Sequence, residues 1–381
     1  MRKTVIYADH AATTRLDEGA LREMLPWLQD EYANASQPYS FARSAKKALR
    51  SARETIAACI GAEPDEIYFT SGGTESDNWA LKGCALFHAK NELIITSAIE
   101  HHAVLHSCRA LERMEHPVLY LPVDASGVIQ PDTLTRHMTQ RVHLVSLMYA
   151  NNEIGTIQPI ERLAEIAHKH GALFHTDAVQ AVGHVPLHVH ASGIDLLSAS
   201  AHKFNGPKGI GFLYIRNGIK LSPLLDGGAQ EEGHRAGTEN IASIVGMAAA
   251  LKKSCDAMRE RTVHLKDLEY LLIESLQERK IDFIRNGAHS CLPGNISLSF
   301  KGADGESLLH RLDLMGIAVS TGAACDTVST KLSHVIQAIH VPKEYAYGTV
   351  RISLGYENTA EEMETIADSL YKIIKSPLAR C

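Results

Sequence analysis

The chain reads as an α/β protein, with a large domain on a mostly parallel sheet followed by a smaller α+β domain. Two patterns predict this. Apolar strand-like runs alternate with helical patterns from about residue 65 to 215, and the chain changes character after about residue 250. Continuous apolar strands separated by helices indicate parallel pairing with both faces of the sheet covered. The length of 381 residues supports the division, because single cores stop growing below this size.

The elements follow in order. LDEGALREMLPWLQ has the period of an amphipathic helix near the start of the chain. EIYFT reads as a strand followed by a helix from Glu75, and ELIITS as a strand followed by a helical stretch through Leu111. HLVSLMYA precedes the helix around RLAEIAHKH, and ALFHTD and DLLSAS are two further strands. Beyond them one long charged helix is expected over KKSCDAMRERTVHLKDLEYLLIESLQER. IDFI, NISLSF, a helix near SLLHRLDLM, VRISL and a last amphipathic helix complete the smaller domain. The expected division is 16–250 for the large domain, and 1–15 with 251–381 for the small one.

Composition excludes several classes of function. Hydrophobic content of 45% and charged content of 22% are ordinary globular values. A net charge of −6 argues against a nucleic-acid surface as the main business. The start has no apolar run long enough for a signal peptide, and IASIVGMAAAL is too short to span a bilayer. Seven cysteines (59, 84, 108, 255, 291, 325 and 381) form no CxxC pair, which suits a reducing cytoplasm. No metal site is expected. HVPLHVH, at 184 to 190, has no carboxylate or cysteine beside it and reads as a loop.

Three windows carry chemistry. In DLLSASAHKFNGPKGIGFLYIR, Lys203 stands where a strand gives way to a Gly-Pro-Lys-Gly turn. A desolvated amine there loses its proton easily enough to form a Schiff base, although a lysine snorkelling from a strand end fits the same window. In FTSGGTESDNWALKG, a strand ends at Thr70, two glycines follow, and Thr74 is the expected N-cap. Glycines and a helix N-terminus suit a single small phosphate. The Walker lysine and the GxGxxG spacing of nucleotide sites are missing, and an ordinary capped helix is the plainer alternative. In HTDAVQAVG, Asp177 follows the apolar run ALF at the carboxyl end of a strand, where ligands of open parallel sheets bind. An anionic aspartate there can hold a proton on a ring nitrogen. Together these windows supply what pyridoxal phosphate requires: an anion cradle, a pyridinium partner and a Schiff-base amine.

The same motifs, with YADHAATT, EHHAV, NNEIGTIQPI, HRAGTEN, STGAAC and VRISLG, resemble those of the cysteine desulfurases over nearly the whole chain. These are pyridoxal-phosphate enzymes of the class V aminotransferase group. The resemblance implies fold type I, with a seven-stranded sheet in the large domain, and conversion of L-cysteine to L-alanine with transfer of sulfur through an enzyme persulfide.

Carried over, the resemblance makes Lys203 the Schiff-base lysine and Asp177 the pyridinium partner. Gln180 would bond the phenolic oxygen, and His101 would stack on the ring and shuttle protons. Asn152 would lie near the ring oxygen and the substrate carboxylate. Gly73, Thr74, Ser200 and His202 would bind the phosphate. Thr238 would reach the phosphate in a neighbouring subunit, implying a homodimer, and Arg351 would clamp the substrate carboxylate. Cys325 would be the sulfur-accepting nucleophile, with the long-loop group I type of segment around it.

The chain departs from the family pattern at Ala35 and Tyr39 in NASQPY, at DTVSTK after Cys325, and at Gly227 to Ala229. It also stops soon after its last helix, so a tail for docking an iron–sulfur scaffold is expected to be short or absent. The acceptor therefore stays open between iron–sulfur cluster assembly, tRNA thiolation and DNA phosphorothioation. The rival readings are a selenocysteine lyase, a class V aminotransferase, and a non-catalytic docking subunit.

Overall fold

The computed structural model describes residues 5–87, 90, 92–139, 141–321 and 332–375. Its strands are β1 (Ile6–Tyr7), β2 (Ile67–Thr70), β3 (Leu93–Ser97), β4 (Val118–Leu121), β5 (Val142–Ser146), β6 (Leu173–Asp177), β7 (Leu196–Ser200), β8 (Gly211–Ile215), β9 (Phe283–Asn286), β10 (Asn295–Phe300), β11 (Ile317–Ala318) and β12 (Thr349–Ser353).

Seven of them form one sheet in the order β2-β8-β7-β6-β5-β3-β4. The block from β7 to β4 is parallel throughout, and β8 runs antiparallel to both of its neighbours. The Gly-Pro-Lys-Gly turn explains this reversal, since it sends the chain straight back beside β7 without a crossover helix.

Side-chain alternation along these strands builds two cores. Ile95, Val145, Phe174, Leu197 and Phe212 face one layer, with α1 (Glu18–Gln29), α2 (Arg43–Ile60), Ile160–Lys169 and Ile241–Asp256. Ile94, Leu144, Leu196 and Leu213 face the other, against α3 (Gly73–Ala85) and α4 (His102–Arg113). A third core gathers Ala8, Leu268, Leu272, Leu298, Val350, Ile352 and Ile366 around the antiparallel sheet β12-β10-β9 and the parallel pair β1-β11.

Two local expectations change. The long charged helix is two helices, Ile241–Asp256 and Met258–Glu278, parted at Ala257 (φ −93°, ψ 1°). The first is buried with α1 and α2 and the second packs on the C-terminal core, so one straight helix could not serve both. The helix expected from Glu75 begins at Gly73, and its N-cap is Gly72, not Thr74.

Residues 9–14 join the parts. Ala11 N–H donates to Ser353 Oγ at 2.9 Å, and Thr14 N–H donates to the His202 carbonyl at 2.9 Å. Asp17 then caps α1, its Oδ1 accepting from Gly19 N (2.8 Å) and Ala20 N (3.1 Å), while Oδ2 pairs with Lys253. Asp17→Ala removes both functions and should cost about 1–2 kcal/mol in denaturant unfolding. An unchanged midpoint would show that the cap is dispensable.

Candidate active site

A cavity of about 300 Å³ opens at the carboxyl edge of the large sheet. It is lined by Gly73, Thr74, His101, Asn152, Asp177, Gln180, Ser200, His202, Lys203 and Arg351, so ten of the twelve residues singled out in the sequence meet here. Thr238 is exposed and does not line it. Cys325 lies outside the described residues.

Strand ends create the arrangement. Asp177 is the last residue of β6, and the β7 residue opposite it in register is Ser198. Ser200 ends β7, and Lys203 follows on a single 3-10 turn. The Lys203 amine donates to the carbonyls of Ala11 (2.6 Å) and Ala12 (2.9 Å), so the N-terminal segment holds it at the cavity. Gln180 Nε2 donates to the same Ala11 carbonyl at 3.0 Å.

The start of α3 has the features of an anion site. Gly72 has φ 148°, a backbone conformation that favours glycine, and no side chain caps the helix. The first-turn N–H groups therefore have no partner within the helix and can serve an anion. A Cβ on Gly73 would come within 2.4 Å of Val179 Cγ2, so a side chain there would crowd the cradle.

Arg351, on β12, is 4% exposed. It donates through Nη1 to the Asn152 carbonyl (3.0 Å) and through Nη2 to Asp9 Oδ1 (2.6 Å). Its buried Nε has no partner among the described residues, a donor left for something else to accept from.

The electrostatics are those of a dry pocket. Burial pushes the Asp177 carboxyl up, against His101, the Val179 N–H (3.0 Å) and Lys203, which favour its charge. Charge at Asp177 thus depends on these neighbours rather than following from residue type. Burial lowers His101, and Asp177 opposes that. His101 is also the N-cap of α4, its Nδ1 accepting from Ala103 N at 3.1 Å, which places the ring hydrogen of the neutral imidazole on Nε2. Burial, with Lys203 and Lys208, lowers His202 to about 4.

Two buried acids have no part in the site in the sequence reading, where Asp77 is only a capping partner of Thr74. Asp77 lines the cavity floor at 1% exposure, and Glu100 lies just before His101 at 1% exposure. Asp77 is four residues after Gly73, hence on the same face of α3, and that spacing was the available signal. The histidines of 184–190 do not converge. His184 bonds the Lys203 carbonyl at 2.9 Å, and His190 bonds Glu66 at 2.8 Å. Among the described residues, metal-type donors gather instead at Asp77, His101 and Asp177, within the cavity already described.

A helix N-terminus with free amides, a lysine and a buried aspartate meet at the carboxyl edge of a mostly parallel sheet, as pyridoxal-phosphate enzymes with fold type I require. Comparisons with known proteins place the chain in that class. The class-V aminotransferase family model matches residues 6–366. Cysteine desulfurase IscS of Dictyoglomus turgidum is 48% identical over 375 residues, 98% of this chain and 95% of its own. A solved NifS-like protein superposes with a TM-score of 0.92 at 38% identity, covering 97% of this chain and 99% of its own. SspA, solved in complex with cysteine, has a TM-score of 0.82 at 36% identity over 92% of this chain and 98% of its own. The chain belongs to the class-V aminotransferase family and, within it, to the pyridoxal-phosphate-dependent cysteine desulfurases.

Glu100 yields a pH signature. Its Oε1 accepts from Ser97 Oγ (2.6 Å) and Met148 N (3.0 Å), while Oε2 has no partner among the described residues. Burial raises it from 4.5 to about 8. The stability it contributes is complete below 4.5 and is lost as pH rises towards 8. Denaturant unfolding of the cofactor-free protein should show the wild type losing about 1 kcal/mol or more, relative to Glu100→Gln, between these limits. Equal losses in both proteins would assign the trend elsewhere.

Proposed function

We propose that this cavity holds pyridoxal phosphate and L-cysteine, and that each residue acts there as the family pattern implies. The observation that carries the reading is the meeting of Lys203, Asp177, the α3 N-terminus and Arg351 around one space of about 300 Å³. The donor set fits the cofactor. The α3 amides with Gly73, Thr74, Ser200 and His202 suit its phosphate, Asp177 its ring nitrogen, Gln180 its phenolic oxygen and His101 its ring face. When bound, pyridoxal phosphate supplies an electron sink for carbon–hydrogen and carbon–sulfur bond breaking.

The chain's own groups do the rest. Arg351 and Asn152 hold the substrate carboxylate and so orient the α-carbon. Lys203 Nζ, as a free amine at the cavity, would take the α-proton of the substrate. His101 Nε2 is the site for proton exchange beside the ring. Cys325 would attack the substrate sulfur as thiolate. The carbon–sulfur electron pair passes to the substrate β-carbon, which takes up a proton, leaving a persulfide on Cys325 and alanine.

The finer reading extends to assembly. Thr238, exposed and away from the cavity of its own chain, suits the phosphate of a second copy's cofactor, hence a homodimer. The core containing Ala8 and Leu268 supports a small domain made of 1–15 and the C-terminal part of the chain. Leu251 and Cys255 pack in the first core, which moves the second boundary from 250 to near Ala257. Among the described residues no helix is long and apolar enough to cross a membrane. The seven scattered cysteines suit a cytoplasmic setting, where a partner protein takes up the sulfur.

Lys203→Ala should lose the visible absorbance of the bound cofactor and release no alanine from cysteine. Near-native turnover would overturn the assignment. Cys325→Ser should retain that absorbance and its change on adding cysteine, yet release no alanine and carry no extra sulfur by mass spectrometry. Sulfur found instead on Cys59 or Cys84 of the wild type would move the nucleophile.

A further inference from the structure

The floor of the cavity contains a second carboxyl group that the reading above does not use. Polar atoms of Asp77, His101 and Asp177 lie within 4.8 Å of one another. Asp77 is 1% exposed, and its Oδ1 has no hydrogen-bond partner among the described residues. The His175 Nε2 stands 3.8 Å from that oxygen. His175 is no cation, because burial lowers it to about 3.

Two buried carboxyls this close oppose each other's ionisation, which favours a single charge shared unequally between them. Asp177 has the better claim, since it accepts from the Val179 N–H at 3.0 Å and is favoured by His101 and Lys203. Asp77 is faced by Ser198, His175, Asp177 and Glu100, and the two carboxyls raise its proton affinity further above what burial does.

The neighbours also offer a path for a proton. Ser198 stands beside the Asp77 carboxyl, the one neighbour among the described residues that favours its charge. Its hydroxyl lies 3.0 Å from His175 Nε2, while His175 Nδ1 lies 2.8 Å from Ser146 Oγ. A neutral Asp77 donates into this chain: its O–H to Ser198, the Ser198 hydrogen to His175 Nε2, and the His175 Nδ1–H to Ser146. No charge is then buried, and Asp77 Oδ1 is left a neutral oxygen without a partner among the described residues. An ionised Asp77 would reverse the chain and leave Oδ1 a bare buried charge.

We propose that Asp77 is held as a neutral carboxylic acid beside Asp177, a positioning residue that keeps the negative charge of the pair on Asp177. The proposal rests on the reading that Asp177 faces the ring nitrogen. Its role is electrostatic: with Asp77 neutral, the single charge meets the ring.

The test is infrared spectroscopy of the full-length protein loaded with pyridoxal phosphate at neutral pH, with and without ¹³C at the aspartate carboxyl carbons. The label excludes Glu100 and every other glutamate. The wild type should show a protonated-acid carbonyl band that moves on labelling. Asp77→Asn should abolish the band and keep the cofactor's visible absorbance maximum, because an amide still donates to Ser198. Asp177→Asn should retain the band but shift that maximum. Loss of the band in Asp177→Asn with survival in Asp77→Asn would overturn the proposal, as would its absence from the wild type. If Asp77→Asn does not fold, the wild type and Asp177→Asn decide alone. Failure of the underlying reading shows separately, as wild-type protein that gains no visible absorbance when pyridoxal phosphate is added.

Discussion

A carboxylate at the end of β6, 6% exposed, is the constraint around which the rest of the site is organised. Burial opposes its charge, and a parallel sheet gives that position no side-chain cation of its own. The compensation comes from several directions: the Val179 N–H just beyond the strand, His101 from the start of α4 and Lys203 from the turn after β7. Each depends on a different strand ending in register. A slip of one residue between β6 and β7 would turn Ser198 and Ser200 to the opposite face of the sheet.

The strands that carry the site are divided along their length. On the face covered by α3 and α4, Leu144, Leu173 and Leu196 give way towards the carboxyl edge to Ser146, then His175 and Asp177, then Ser198 and Ser200. The apolar half packs against Trp79, Leu81 and Val104 and anchors both helices. The polar half lies beneath their N-termini, where free amides and partial positive charge collect. Stability and chemistry therefore use the same strands without competing for the same positions.

The N-terminal segment gives the site its second half. Asp9 pairs with Arg351, and the carbonyls of Ala11 and Ala12 hold Lys203. The same stretch packs Ala8 into the C-terminal core. Arg351 and Lys203 thus belong to different cores but are tied through one short run of backbone, so movement of one core against the other would alter both.

Strand–helix alternation, the glycine pair before α3 and the lysine in its turn were legible in the sequence because each is a local pattern with a period or a spacing. They determined the sheet, its mostly parallel pairing, and the places of Lys203, Asp177 and the start of α3. The other cavity residues came from the resemblance of the motifs to the cysteine desulfurases. The break at Ala257 was not legible, since both flanking stretches are helical and only their attachment to different cores separates them. The N-cap was misplaced because Gly72 has no polar side chain to mark it. Asp77 and Glu100 look like ordinary acids in a linear reading. Burial beside Asp177 is what changes their proton affinity, and burial is a property of the folded neighbourhood. Sequence by itself determined which groups this protein has and at which strand ends they stand. Only the tertiary structure decided which of them share a low-dielectric space, and the charge each can carry depends on that sharing.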